Sequence, residues 1–338
     1  MPCLPPSFRT SSTALLACAL LTACPGPGPE PEPEASWEIA YAGDESFGAL
    51  LSVWGPSADD LYAVGGNPDL GGMLHWDGSE WSEQALPESL ALTNWVFGVD
   101  DVLWVAANGG QVARRDASGE WSTMQLESTE DLWGIWASGP DDVYTVGGTP
   151  VLGEGPVLAH FDGSAWTELE IPPLDRESDS MFKVWGTGPD DVFVVGRKGI
   201  VLHYDGSSWE QQLAGTTSDL ISLWGTGPDE IVAVGGRSNG VIARYDGSSW
   251  TSETLSSPGL NGVWVDSSGT AFAVGNEGLA IEIEAGSFDY VELDRSTRPD
   301  VLHGAFGFED GSRIGVGGNL LLAPSGPWTG VILQYMQP

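Results

Sequence analysis

Beyond residue 35 the chain is a succession of short runs in which apolar and polar residues alternate, and no stretch keeps the spacing of a long helix. The runs are rich in Val, Ile, Leu and aromatic residues, which suit a pleated, half-buried surface. One clear unit contains Val184-Trp-Gly-Thr-Gly-Pro-Asp-Asp-Val-Phe-Val-Val-Gly196 followed by Leu202-His-Tyr-Asp-Gly-Ser-Ser-Trp209. The pattern predicts four strands per unit. Strand A ends in an aromatic marker (as in 220–224) and strand B is a Val/Phe/Ala run (191–195). Strand C ends in an aromatic (200–204), and strand D opens with Trp (209–213). Turn chemistry supplies the punctuation. Proline fixes φ in the Gly-Pro-Asp-Asp turn between A and B, and Asp-Gly before Ser-Ser-Trp is a strong hairpin signal between C and D.

The unit repeats. It returns as Leu223-Trp-Gly-Thr-Gly-Pro-Asp-Glu-Ile-Val-Ala-Val-Gly235 and Ala243-Arg-Tyr-Asp-Gly-Ser-Ser-Trp250. The marker falls at Trp54, Phe97, Trp136, Trp185, Trp224, Trp264 and Phe306, with spacings of 43, 39, 49, 39, 40 and 42 residues. Such a period, with four short strands per copy, is the signature of a β-propeller. D strands are expected to open at Trp37, Trp81, Trp121, Trp166, Trp209, Trp250 and Phe288. The last copy has A (301–306), B (313–316) and C (330–335) but no D, while Trp37 sits in a D strand without a copy of its own. The expected fold is therefore all-β: a seven-bladed propeller with four strands per blade over 36–338, its ring closed by the N-terminal strand 36–41 in the last blade.

The first 35 residues have a different composition. Arg9 precedes the apolar run 14–23, which is too short to span a bilayer and suits a signal peptide over 1–23. The run ends in Leu21-Thr22-Ala23-Cys24, which resembles the bacterial lipobox; the resemblance implies lipidation of Cys24 and a stable membrane anchor. Residues 24–35 then form a Pro/Gly/Glu tether with about 30 Å of reach at about 3.1 Å per residue. Cys3 and Cys18 belong to the signal, so the 36–338 domain has no cysteine, no disulfide and no thiolate metal site.

The Trp-Gly marker, Gly-Pro-Asp-Asp and Asp-Gly-Ser-x-Trp together resemble the secreted WG-rich β-propeller lipoproteins of myxobacteria and related bacteria. These are similar in turn to neuraminidase-repeat and Kelch-like propellers. The resemblance spans about 36–338 and implies a fold and an envelope address; one propeller scaffold hosts many activities. The neuraminidase Asp-box carries Asp-x-Gly, whereas Asp205 and Gly206 are adjacent, so a sialidase activity does not follow.

Charge narrows the partners. With 48 acidic against 12 basic residues, the formal net charge is −36. That excludes a nucleic-acid binder and a polybasic membrane-surface protein. The acids concentrate in A–B turns, at Asp59-Asp60, Asp100-Asp101, Asp141-Asp142, Asp190-Asp191, Asp229-Glu230 and Glu309-Asp310, and in C–D turns, at Asp77, Asp116, Asp162, Asp205 and Asp246. Both turn types lie on one face of a propeller, so that face is expected to be strongly negative. The simpler account is turn capping and solubility. The sharper one is Ca²⁺ or a basic partner, although no Asp-x-Asp-x-Asp loop is present. His75, His160 and His203 share one place in strand C of different blades and are not expected to converge on a metal. Arg114 and Arg244 hold the same place in two other blades, and His303 stands alone.

No Ser/His/Asp order, phosphate loop or metal motif is present, so no catalytic residue is assigned. The irregular connections are the better pointer, because binding loops on a rigid scaffold depart from the repeat. B–C connections expand at 66–72, 148–156 and 318–328, and a D–A connection at 172–179, all on the face opposite the acidic turns. Their candidate binding residues are Asn67, Asp69, Pro150, Glu154, Asp175, Arg176, Leu320, Leu321 and Trp328. Most of the 16 Trp residues are expected in the core. The sequence thus points to a monomeric, envelope-anchored, non-catalytic scaffold that binds a protein or glycan through its loop-rich face. It carries no cofactor other than the Ca²⁺ just considered. The alternatives are an extracytoplasmic glycan hydrolase or lyase using the central channel, and an envelope assembly factor.

Overall fold

The computed structural model describes residues 36–149, 155–293, 301–319 and 327–336. They form seven four-stranded antiparallel sheets, each built from strands consecutive in sequence apart from the last. The innermost strands are Ala49–Ser57, Thr93–Val99, Leu132–Gly139, Met181–Gly188, Leu220–Gly227, Leu260–Val265 and Val301–Gly307, which define blades 1 to 7. Each packs against the inner strands of the two adjacent blades, and blade 7 meets blade 1. The strand Ser36–Ala42 pairs antiparallel with Gly330–Met336, from Ser36 opposite Met336 to Ala42 opposite Val331. The N-terminal strand therefore supplies the missing outer strand of blade 7 and closes the ring.

Five of the six other outer strands open at the expected Trp: Trp81, Trp121, Trp166, Trp209 and Trp250. Blade 6 differs. Its outer strand is Tyr290–Glu292, and Tyr290, not Phe288, stands opposite Ile283. The hairpin there lacks the Asp-Gly turn and runs through Gly286 in the left-handed region (φ 67°), which moves the strand start by two residues.

The Trp-Gly marker has a packing cause. A Cβ on Gly98 would lie 2.3 Å from the Trp54 ring of the preceding blade. A Cβ on Gly186 would lie 2.9 Å from Trp136, one on Gly225 2.8 Å from Trp185, and one on Gly307 2.7 Å from Trp264. In these four blades the glycine is thus the floor on which the previous blade's marker rests, while a Cβ on Gly55 would meet Asp60 and Leu61 of its own blade. The two markers followed by other residues fit the same rule. Ala137 follows a blade whose marker is the smaller Phe97, with ring centres of Phe97 and Trp136 6.4 Å apart. Val265 follows a blade whose Trp224 turns away to meet Phe306 edge-on at 5.8 Å.

Every inner strand also carries a bulge three residues before its marker, at Leu51, Asn94, Trp133, Phe182, Ile221, Asn261 and His303. A bulge re-aims side chains and ends regular pairing. Here it creates a ring of seven special positions where the inner strands begin, on the loop-rich face.

Candidate functional site

The two faces of the ring differ in how their charges are used. On the acidic face, Asp205 Oδ1 accepts hydrogen bonds from Ser207 N (2.9 Å), Ser207 Oγ (2.6 Å) and Ser208 N (2.9 Å). Asp77, Asp116, Asp162 and Asp246 cap their own turns in the same way. These donors hold Asp77, Asp162 and Asp205 at a pKa of about 2, far below an ordinary carboxylate.

The paired acids of the A–B turns divide two tasks. The second member meets a strand C histidine: Asp60 with His75 at 2.7 Å, Asp142 with His160 at 2.5 Å and Asp191 with His203 at 2.7 Å. Each imidazole also stacks on the strand B aromatic opposite it, with ring centres 4.6 Å apart for Tyr62, 4.4 Å for Tyr144 and 4.1 Å for Phe193. The first members, Asp59, Asp141 and Asp190, are exposed and lie against the C–D turn glycines Gly78, Gly163 and Gly206. The three histidines stay in separate blades. Among the described residues no group of three or more His, Cys, Asp or Glu is arranged to hold a metal ion. The His–Asp pairing was readable from strand alternation, because each Asp shares a strand face with the aromatic two residues on, and that aromatic faces the histidine.

On the opposite face the sequence candidates that are described stand in different blades. Asn67 and Asp69 belong to a lengthened hairpin, not an expanded loop: Asp60–Asn67 and Leu70–Trp76 stay paired out to Asn67 opposite Leu70. Asp175 and Arg176 bind each other at 2.7 Å, and Asp175 also accepts from Gln211 at 2.6 Å, which fastens the 172–179 segment onto the outer strand Trp209–Leu213. Trp328 is half-buried beside the last strand. Cys24, Pro150, Glu154, Leu320 and Leu321 lie outside the described residues.

A different set of residues meets at the channel mouth. Lys183, on the inner strand of blade 4, is 3% exposed. Its ammonium donates to the Trp133 carbonyl of blade 3 at 2.8 Å and lies 3.8 Å from the centre of the Trp95 ring of blade 2. A side chain rooted in blade 4 that reaches blade 2 passes in front of blade 3, along the channel wall. Trp224 of blade 5 and Phe306 of blade 7 likewise meet in front of blade 6, nearer the acidic face.

Around Lys183 stand three more groups. The Arg237 guanidinium, from the B–C turn of blade 5, lies 5.4 Å over the Phe182 ring and pairs with Asp219 at 2.8 Å. The Trp133 indole donates to the Gly148 carbonyl at 2.8 Å. His303 of blade 7 donates from Nδ1 to the Leu51 carbonyl of blade 1 at 2.9 Å. Burial pushes the Lys183 amine down to about 7. Burial, with the Lys183 and Arg237 charges, pushes His303 down to about 4. Among the described residues no carboxylate pairs with Lys183; its contacts are the Trp133 carbonyl and the Trp95 ring. Spacing alone passes over Lys183 and leaves His303 and Arg237 in separate blades. The bulges and the closed ring bring them to one mouth.

The sequence matches no protein-family model and no curated protein. Its likeness to known proteins is structural. A catalytically inactive virginiamycin B lyase from Staphylococcus aureus, solved with quinupristin, superposes with a TM-score of 0.69 at 11% identity, covering 90% of this chain and 100% of that one. YCF48 bound to a D1 peptide superposes at 0.64 with 16% identity, covering 89% and 97%. The WD40 propeller domain of Doa1 superposes at 0.67 with 7% identity, covering 90% and 98%. At these identities the likeness establishes one thing, that the chain is a β-propeller.

Proposed function

We propose that the chain is a non-catalytic binding scaffold at the bacterial envelope, attached through lipidated Cys24 and recognising a protein partner through its loop-rich face. The observation that carries this reading is the bridging of side chains along the inner ring. Lys183 with Trp95, and Trp224 with Phe306, each span one intervening blade and narrow the channel, which favours the rim and mouth as the binding surface. A propeller neighbour solved with a peptide, and another from the WD40 class, make a protein the favoured partner over a glycan. The envelope address rests on the lipobox and on the resemblance to WG-rich lipoproteins.

Two experiments test the parts separately. Cys24→Ser should move the protein from the membrane to the soluble fraction of the bacterium, and continued membrane retention would overturn the anchor. Chemical cross-linking in cells should trap a partner from cysteines placed at Asn239 or Asp69 and not from one placed at Ser207. Cross-links confined to Ser207 would assign binding to the acidic face instead.

A further inference from the structure

We infer that the channel mouth on the loop-rich face is a carboxylate subsite, in which Lys183 and Arg237 receive a free carboxylate of the bound partner between the aromatic walls Trp95, Trp133 and Phe182. The inference rests on the binding reading above and names the chemistry that the face selects.

The anomaly behind it is the unpaired charge. In a chain of net charge −36, several exposed cations find acids, as Arg176 with Asp175, Arg197 with Asp179 and Arg237 with Asp219, while Lys198 meets the Glu177 carbonyl in full contact with solvent. Lys183 is the most buried of them and pairs with a carbonyl and an aromatic face alone. An ammonium offers three donors, and leaving a buried charge without a counter-ion is costly. A lysine stem is flexible enough for the ammonium to exchange the Trp95 face for a carboxylate at the mouth. Arg237 stands above it with its side chain 63% exposed and its guanidinium plane already stacked, so part of its ordering cost is met before binding. The half-buried Trp95 and Trp133 add apolar area beside the charge, the composition of a pocket that holds the end of a peptide.

A C-terminal carboxylate suits this mouth better than an acidic side chain on a folded surface. The cations sit at the opening of a closed ring, and a chain end can enter where a continuous chain must pass over. The probe is N-acetyl-phenylalanine, which carries one aromatic group and one free carboxylate, with its amide as the uncharged control.

The sequence has two lysines, Lys183 and Lys198, so protein labelled at lysine gives two side-chain NMR signals, with the exposed Lys198 as internal reference. The acid should move the Lys183 signal and raise the pH at which it titrates by about one unit or more, and the amide should do neither. Binding should weaken as pH rises through the range where Lys183 loses its proton. The charged groups beside it are His303 and Arg237 with its partner Asp219. Arg237→Gln should weaken the acid about tenfold while leaving the melting temperature unchanged, and Lys183→Met should abolish the difference between acid and amide. Equal responses to acid and amide, or no response of Lys183, would overturn the subsite. If the cross-linked partner is retained while Lys183→Met and Arg237→Gln change nothing, the scaffold reading stands and the subsite falls.

Discussion

Placing a methyl group beneath a marker tryptophan is a direct test of how the ring is assembled. In Gly98→Ala the new Cβ would sit 2.3 Å from two carbons of the Trp54 ring and 2.9 Å from a third. Carbon atoms prefer separations of about 3.5–4.0 Å, so the ring must withdraw by more than about 1 Å. Trp54 is only partly buried, so its ring can tilt, and overpacking of this kind costs about 1–3 kcal/mol. A domain of roughly 300 residues has an unfolding entropy near 0.6 kcal/mol/K, which converts that cost to a fall of about 2–5 °C in Tm. Calorimetry on Gly98→Ala, Trp54→Leu and the double variant forms a cycle that isolates the contact. The glycine substitution should be about 1–2 kcal/mol milder once the indole is gone. Nature has supplied a matched control, because Ala137 already occupies the equivalent place beneath the smaller Phe97; Ala137→Gly should change Tm by less than about 1 °C. An undiminished Gly98→Ala penalty in the Trp54→Leu background would refute the idea that the glycine exists to seat the indole.

Three further outcomes follow from the same geometry. Removing residues 36–42 should strip blade 7 of the strand paired from Ser36 to Ala42 and sharply lower Tm; an unchanged melting temperature would contradict closure by this strand. The turn carboxylates Asp77, Asp162 and Asp205 titrate at about 2 in the fold and near 3.8 unfolded. Their contribution is therefore complete above pH 4 and lost as pH falls toward 2, and Asp205→Asn should flatten that part of the stability–pH curve measured by urea unfolding. Lys183 titrates at about 7 in the fold and 10.5 unfolded, so between those values the unfolded state binds the extra proton and stability rises with pH. Lys183→Met should gain most over the parent below pH 7 and progressively less toward pH 10, and a pH-independent difference would show that the lysine stays charged.

The blade grammar was legible because it is local. Asp-Gly-Ser-Ser-Trp forms its hairpin from adjacent residues, with Asp205 capping Ser207 and Ser208, and every such copy was placed correctly. Closure was legible by counting, since a blade without an outer strand and an outer strand without a blade leave one solution. Local reading failed where the local chemistry changed. The blade 6 hairpin has no Asp-Gly to set its register, so Phe288 stood in for Tyr290. At 66–72 the glycines and proline imitated an insertion, although Gly65 and Gly66 simply extend the ladder opposite Gly72 and Gly71.

The channel mouth could not be read in this way, because its contacts join residues that no period relates. Lys183 meets Trp95 two blades away, and His303 meets Leu51 across the closure of the ring. The position holding Lys183 in blade 4 holds Ser52, Trp95, Gly134, Ser222, Gly262 and Gly304 in the other blades, and the bulge position before it varies still more, so these two sites stand apart from an otherwise regular motif. Seven inner strands fix one ring, while the two longest side chains at that position, Trp95 and Lys183, meet within it. A repeat protein written from one template has to place its individuality where the template is silent. Here that place is the bulged start of the inner strands, which faces away from the turns that maintain the fold. Substitutions at the marker, its glycine or the turn aspartates should therefore change stability and leave recognition intact, whereas exchanging Arg237 should do the reverse.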